Sequence, residues 1–249
     1  MPDLPTGLVE SLRDARRVVA LTGSGISAES GVPTFREAQT GLWARYDPQD
    51  LATPEAFARD PRLVWEWYGW RRELVAAAEP NAGHRALVEL ERRAKAFVLI
   101  TQNVDGLHQR AGNREVVELH GNIRRTRCSG EGVIVDDHEQ GDGPPRCAGC
   151  GAYLRPDVVW FGEMLPAEAM RHASRSAQSC DLFLSIGTSS LVYPAAGLAH
   201  EALENDATVV EIIPGETTLT AHVAYRVPGA AGEVLPELVT RAFGARAGM

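Results

Sequence analysis

The chain reads as an α/β fold, an open parallel β-sheet with helices on both faces and a small second lobe. Three observations predict it. Short strand-like runs, several apolar throughout rather than alternating, suit strands buried on both faces. Helix-like segments lie between them, the alternation that parallel sheets require. Two stretches that break the alternation account for the lobe.

Seven runs are expected as strands: VVALT from Val18, FVLIT from Phe97, VVELH from Val116, VVWFG from Val158, LFLSIG from Leu182, TVVEII from Thr208 and AYRVPG from Ala224. Helices are expected in NAGHRALVELERRA from Asn81, PAEAMRHASRSAQS from Pro166, YPAAGLAHEALEND from Tyr193 and GEVLPELVTRAF from Gly232. Asn81 suits an N-cap and Pro166 a first helical turn. Residues 37–80 are helical and aromatic, and 123–155 are polar and rich in Gly and Pro, with three of the four cysteines. Residues 1–36, 81–122 and 156–249 are thus expected to form the sheet domain, and 37–80 with 123–155 the lobe.

Composition narrows the function. With 249 residues, 44% hydrophobic and 23% charged, the chain is long enough for a sizeable core. A formal net charge of −8 and the lack of any Lys/Arg block argue against a nucleic-acid surface. No apolar stretch reaches membrane-spanning length, and the first residues lack a secretory apolar region, so a cytoplasmic location without membrane partners is expected.

Ligands of such sheets bind beyond the carboxyl ends of the strands. After the first run, GSGISAESGVPTFR places Gly23, Gly25 and Ala28 in the G-x-G-x-x-G/A spacing of a dinucleotide loop. The second strand and acidic ribose ligand of a hydride-transfer enzyme do not follow. After FVLIT come Gln102, Asn103 and Asp105, amide and carboxylate groups suited to ribose hydroxyls; an Asx turn is the alternative. After VVEL comes His120, an imidazole suited to taking a proton from a sugar hydroxyl. Gly187, Thr188 and Ser189 give a second small-residue loop that can hold phosphate.

The cysteines outline a metal site with one part missing. Cys147 and Cys150 form a C-x2-C knuckle, and Cys128 precedes it with 18 residues between. A four-cysteine zinc ribbon would put its remaining thiolate at position 131, which holds Glu131. Glu131, Asp136, Asp137 and His138 are candidates for the fourth zinc ligand. Cys180 is expected in the core.

Taken in order, GSGISAESGVPTFR, TQNVDGLH, VVELHGN, the cysteine knuckle, RPDVVWFGE and GTSSLVYPA resemble the sirtuins, NAD-dependent protein-lysine deacylases, over about Val18 to Leu238. PTFR, Tyr68 and Arg71 resemble the class III branch, whose members remove succinyl and malonyl groups. The resemblance implies a Rossmann-like sheet domain and a small helical and zinc-ribbon-like lobe. It implies NAD as co-substrate, acyl-lysine proteins as partners, and nicotinamide, free lysine and 2′-O-acyl-ADP-ribose as products.

By the same resemblance, the loop of Gly23, Ser24, Gly25, Ala28, Glu29, Thr34, Phe35, Arg36 and Trp43 covers the cofactor. Gln102, Asn103 and Asp105 line the ribose and nicotinamide pocket, and Gly187, Thr188, Ser189 and Ala231 hold the dinucleotide. His120 acts as base with Asn103 beside it, and Val159, Phe161 and Glu163 lie along the substrate. Tyr68 and Arg71, at i and i+3 of one helix, can hold an acyl carboxylate with three donors. A mono-ADP-ribosyltransferase and a non-catalytic NAD or ADP-ribose sensor remain the alternatives.

Overall fold

The computed structural model of the chain describes residues 3–33, 47, 51–137, 141 and 143–244. Six parallel strands form the main sheet: β1 (Val18–Thr22), β2 (Phe97–Thr101), β3 (Val116–Glu118), β6 (Leu182–Ile186), β7 (Thr208–Ile212) and β8 (Tyr225–Val227). Their order is β3-β2-β1-β6-β7-β8, so the winding reverses between β1 and β6. That reversal is the switch point where open α/β sheets bind ligands.

All residues of β1 and β6 are buried, as their unbroken apolar runs require. Each fully buried Val, Leu or Ile contributes about 1.5–3 kcal/mol, so these central strands anchor the fold. One face is covered by α1 (Thr6–Asp14), α4 (Ala82–Arg93) and α8 (Ala231–Phe243), through Leu8, Leu87, Leu90, Leu235 and Leu238. The other is covered by α6 (Ala167–Ser179) and α7 (Gly197–Glu204), through Ala173, Ala177, Leu198 and Ala202. Asn81 caps α4 as expected. Its Oδ1 accepts from the Gly83 and His84 N–H groups at 2.8 and 3.3 Å, and His84 Nδ1 accepts in return from the Asn81 N–H. Such caps are each worth about 1 kcal/mol.

The lobe has its own core, in which α2 (Pro54–Arg59) and α3 (Pro61–Ala77) pack Phe57, Val64, Trp67 and Tyr68 against Ile123, Val158 and Trp160. Here the expected strand at VVWFG is corrected. β5 is Leu154–Val158, pairs antiparallel with β4 (Gly121–Cys128) in a separate two-stranded sheet, and ends where VVWFG begins. Periodicity could not reveal β4, because GNIRRTRC has no apolar run. Gly121, at φ +78°, starts β4 where a side chain would lie 2.2 Å from the Asp157 carbonyl oxygen. No described helix is long and apolar enough to cross a membrane. Thr34, Phe35, Arg36, Trp43 and His138 lie outside the described residues.

Candidate active site

At the switch point the loops after β1 and β6 cross in contact. Gly23 N–H donates to Ile186 O at 2.9 Å, and Gly25 N–H to Gly187 O at 2.8 Å. A Cβ on Gly25 would sit 2.7 Å from Gly187 Cα; one on Gly187, at φ +58°, would sit 2.6 Å from Ile26 N. The glycine spacing is therefore demanded by two backbones packing on each other. A short 3₁₀ helix, Ser24–Ser30, follows, with Ser24 and Ala28 exposed. Glu29 is engaged elsewhere: its carboxylate accepts the Gly232 N–H at 2.7 Å, in the first turn of α8 beside buried Ala231. An anion at a helix N-terminus is the arrangement the helix dipole favours.

Gln102 joins three strand ends. Its N–H donates to Thr22 O at 3.0 Å, its Nε2 to Thr188 Oγ1 at 3.0 Å, and its carbonyl oxygen lies 2.9 Å from His120 Nδ1. A carbonyl only accepts, so His120 carries its proton on Nδ1 and presents Nε2 as an acceptor. Burial lowers the His120 pKa, outweighing the opposite effect of the Gln102 bond, and keeps the ring neutral. Ser189 is half-buried beside Ser190, whose φ of 55° is rare for a residue with a side chain.

Asn103 and Asp105 meet on Ser27. Asn103 Nδ2 donates to Gly23 O at 3.1 Å and Ser27 Oγ at 3.2 Å. The Ser27 hydroxyl donates to Asp105 Oδ2 at 2.8 Å, while Asp105 Oδ1 accepts the Leu107 N–H at 2.9 Å. The Asx turn and the side-chain cluster thus coexist at Asp105. Burial raises the Asp105 pKa, against the Leu107 and Ser27 bonds. His84 Nε2 stands 3.4 Å from Ser27 Oγ; with Nδ1 accepting from Asn81, Nε2 carries the hydrogen and donates. Sequence reasoning missed Ser27 and His84. The one available signal was the Asn81-x-x-His84 cap, which turns His84 toward the strand ends.

The substrate-side residues divide. Val159 donates its N–H to His120 O at 2.9 Å, which ties VVWFG to the base. Phe161 is 44% exposed. Glu163 turns inward: its oxygens accept from Arg155 at 2.6 and 2.9 Å and from the Trp160 N–H at 2.8 Å. Burial alone would raise its pKa, but the Arg155 and Trp160 bonds outweigh that and hold it below the usual carboxylate range.

Tyr68 and Arg71 lie together on α3. Tyr68 is 2% exposed, and its hydroxyl accepts from Trp160 Nε1 at 2.9 Å. Burial pushes its pKa up to about 12, so it stays a neutral donor. The Arg71 guanidinium lies 5.2 Å from the Trp67 ring centre and lines a small cavity with Val32, Pro33, Leu74 and Val75. Burial lowers its pKa, partly offset by Tyr68 and by Asp105 across the site.

The lobe brings Cys128, Glu131, Cys147 and Cys150 together, with one donor atom from each all within 4.8 Å of one another. Cys128 Sγ is 3.3 Å from Cys150 Sγ, and Cys147 Sγ is 3.8 Å from Glu131 Oε2. Tetrahedral zinc with Zn–S near 2.3 Å sets its sulfurs about 3.7 Å apart, so the group fits zinc. Of the candidate fourth ligands among the described residues, Glu131, Asp136 and Asp137, it is Glu131 that joins the cysteines. Its backbone N–H at 3.4 Å also lowers the Cys128 pKa, favouring the thiolate that metal binding needs. Cys180 is buried apart from this group, as expected.

Comparison with known proteins agrees with this geometry. The Sir2 family pattern matches residues 23–194. A Pseudomonas aeruginosa protein named NAD-dependent protein deacylase 1 is 51% identical over 245 residues, covering 95% of this chain and 98% of the relative. A solved Sir2 homologue in complex with NAD superposes with a TM-score of 0.91 at 46% identity, covering 97% of this chain and 94% of the other. A mutant Sir2 homologue in complex with 2′-O-acetyl ADP ribose superposes at 0.90 and 44% identity, covering 98% and 100%. A glycine-locked switch point, a neutral histidine beside it and likeness along nearly the whole length have one common account: this chain belongs to the Sir2 family.

Proposed function

We propose that this chain removes acyl groups from protein lysines with NAD as co-substrate, and that it favours succinyl and malonyl groups. The observation that carries the reading is His120, fixed by Gln102 as a neutral imidazole with Nε2 accepting, at the edge where the glycine loops cross. NAD, when bound, would supply a glycosidic bond: as it breaks nicotinamide leaves, and with one water consumed the acyl group passes from the lysine nitrogen to ADP-ribose, freeing the lysine amine. The residues of the chain do the rest. His120 Nε2 takes the proton of a ribose hydroxyl, for which a neutral ring near physiological pH is suited. Asn103 and Asp105, locked through Ser27, set the polar wall at the nicotinamide end. Gln102 and Thr188, bonded to each other, line the ribose side with Ser189, and Ala231 with the start of α8 takes the adenosine end.

In this reading the sheet domain of residues 1–36, 81–122 and 156–249 takes NAD, and the lobe of 37–80 and 123–155 takes the metal and the acyl end. Cys128, Glu131, Cys147 and Cys150 would hold zinc as a structural ion. Val159 and Phe161 border the acyl-lysine. Substrates are cytoplasmic acyl-lysine proteins; nucleic acid is not a partner, in keeping with the net charge of −8.

The acidic-acyl preference rests on Tyr68 and Arg71. A cation and a neutral hydroxyl, both largely removed from water, form a pair of donors that a carboxylate satisfies and an acetyl methyl does not. The test is a panel of succinyl-, malonyl- and acetyl-lysine peptides incubated with NAD and followed by mass spectrometry. Succinyl and malonyl should be removed faster than acetyl. Arg71→Met should lower kcat/KM for succinyl about 100-fold, the size of a lost charge-assisted pair, and change acetyl little. Equal removal of acetyl by the unaltered protein rejects the preference; labelled ADP-ribose on protein without acyl loss rejects deacylation.

A further inference from the structure

We propose that Trp160 is a positioning residue for acyl selectivity, acting through the hydroxyl of Tyr68; this rests on the reading of Tyr68 and Arg71 given above. A phenol has one hydrogen to give and lone pairs to receive. Trp160 Nε1–H fills the receiving side at 2.9 Å, and among the described residues this is the only hydrogen bond of the Tyr68 hydroxyl. Its hydrogen is therefore directed away from the indole, and no described residue accepts it. A buried donor of this kind gains from a ligand that brings an acceptor.

The indole has no freedom to turn away. Its backbone N–H is held by Glu163 at 2.8 Å, and Phe57 packs against its ring at 5.3 Å between centres. Arg155, 7% exposed, lies with its guanidinium 3.3 Å from the ring centre. Arg155 is in turn fixed by both Glu163 oxygens and by Val158 O at 2.7 Å. Glu163, Arg155, Trp160 and Tyr68 thus form one chain of contacts from the loop after β5 to the acyl end. Glu163 serves the substrate by aiming another residue.

The experiment compares Trp160→Phe with the unaltered protein on succinyl- and acetyl-lysine peptides, with KM and kcat measured separately. Phenylalanine keeps an aromatic ring and removes the N–H. The KM for succinyl should rise about fivefold to tenfold, the size of one hydrogen bond, with kcat and both acetyl constants within about twofold. In a Tyr68→Phe background the same change should add nothing, because the hydroxyl it aims is gone. Where the phenylalanine variant does not fold, benzothienylalanine placed at position 160 substitutes sulfur for the N–H in the same shape and should give the same KM shift. Equal losses on both peptides, or a loss that persists without the Tyr68 hydroxyl, would overturn the proposal. A selective parent protein unmoved by either change at 160 overturns this inference alone; a parent protein indifferent to the acyl carboxylate overturns the reading of Tyr68 and Arg71 as well.

Discussion

The sheet edge and the lobe solve the problem of positioning in opposite ways. At the sheet edge, main chain does the work: Gly23, Gly25 and Gly187 let two loops touch, and Gln102 ties three strand ends by backbone and amide bonds. In the lobe and the loop that follows β5, charged and aromatic side chains do it, through Arg155 with Glu163, Trp160 with Tyr68, and three cysteines with Glu131. These backbone contacts are rigid and tolerate no side chain at the glycines that make them. Side-chain networks are replaceable residue by residue, so the lobe is where selectivity and metal affinity can differ between otherwise similar chains.

The sharpest way to test that division is His120→Ala. It should cut turnover of every acyl group alike by about 10²- to 10⁴-fold, the usual worth of a positioned base. A loss confined to acidic acyl groups would mean that the two regions are not separable. The acid limb of the kcat/KM profile should fall below the ordinary histidine value of 6.5, because burial lowers His120.

A second test probes what stands behind the sheet edge. Burial lowers His84 to about 4 and His108 to about 3, against 6.5 for a free histidine. Between pH 6.5 and about 4 the unfolded chain takes up protons that the folded chain refuses, so stability falls as pH drops through that window. The loss should be on the order of 3 kcal/mol per histidine at the bottom of it. Thermal unfolding followed from pH 7.5 to 4.5 checks this; a melting temperature that stays level would show that the edge is more open than the structure indicates.

The smallest effect is expected in the metal group. Glu131→Cys should slow the release of zinc to a chelator by about tenfold, and Glu131→Ala should speed it, since even outer changes around a metal site shift affinity by that much. Zinc measured by elemental analysis and by chelator absorbance gives the answer without an activity assay. Identical release from all three proteins would place Glu131 outside the coordination sphere.

Much of the sheet edge was legible in the sequence, because strands buried on both faces write themselves as apolar runs and their ends carry the chemistry. His120, Gln102 and Asn103 stand at such ends. The lobe was less legible. β4 is a polar strand whose partner is some 30 residues away, and nothing local shows that Gly232 holds Glu29 or that Arg155 holds Glu163. Ser27 and His84 were missed for a related reason: each is an ordinary loop or helix residue until β1 and α4 are brought side by side.

By itself, the sequence determined the parallel strands of the main sheet, the glycines at the crossing loops and the histidine after β3, since these follow from local periodicity and backbone geometry. The tertiary structure alone decided which carboxylate joins the three cysteines, which face Tyr68 offers, and which acids turn inward. Those choices depend on partners distant in the chain, and the free energy of a buried polar group is set by what it meets, not by what precedes it.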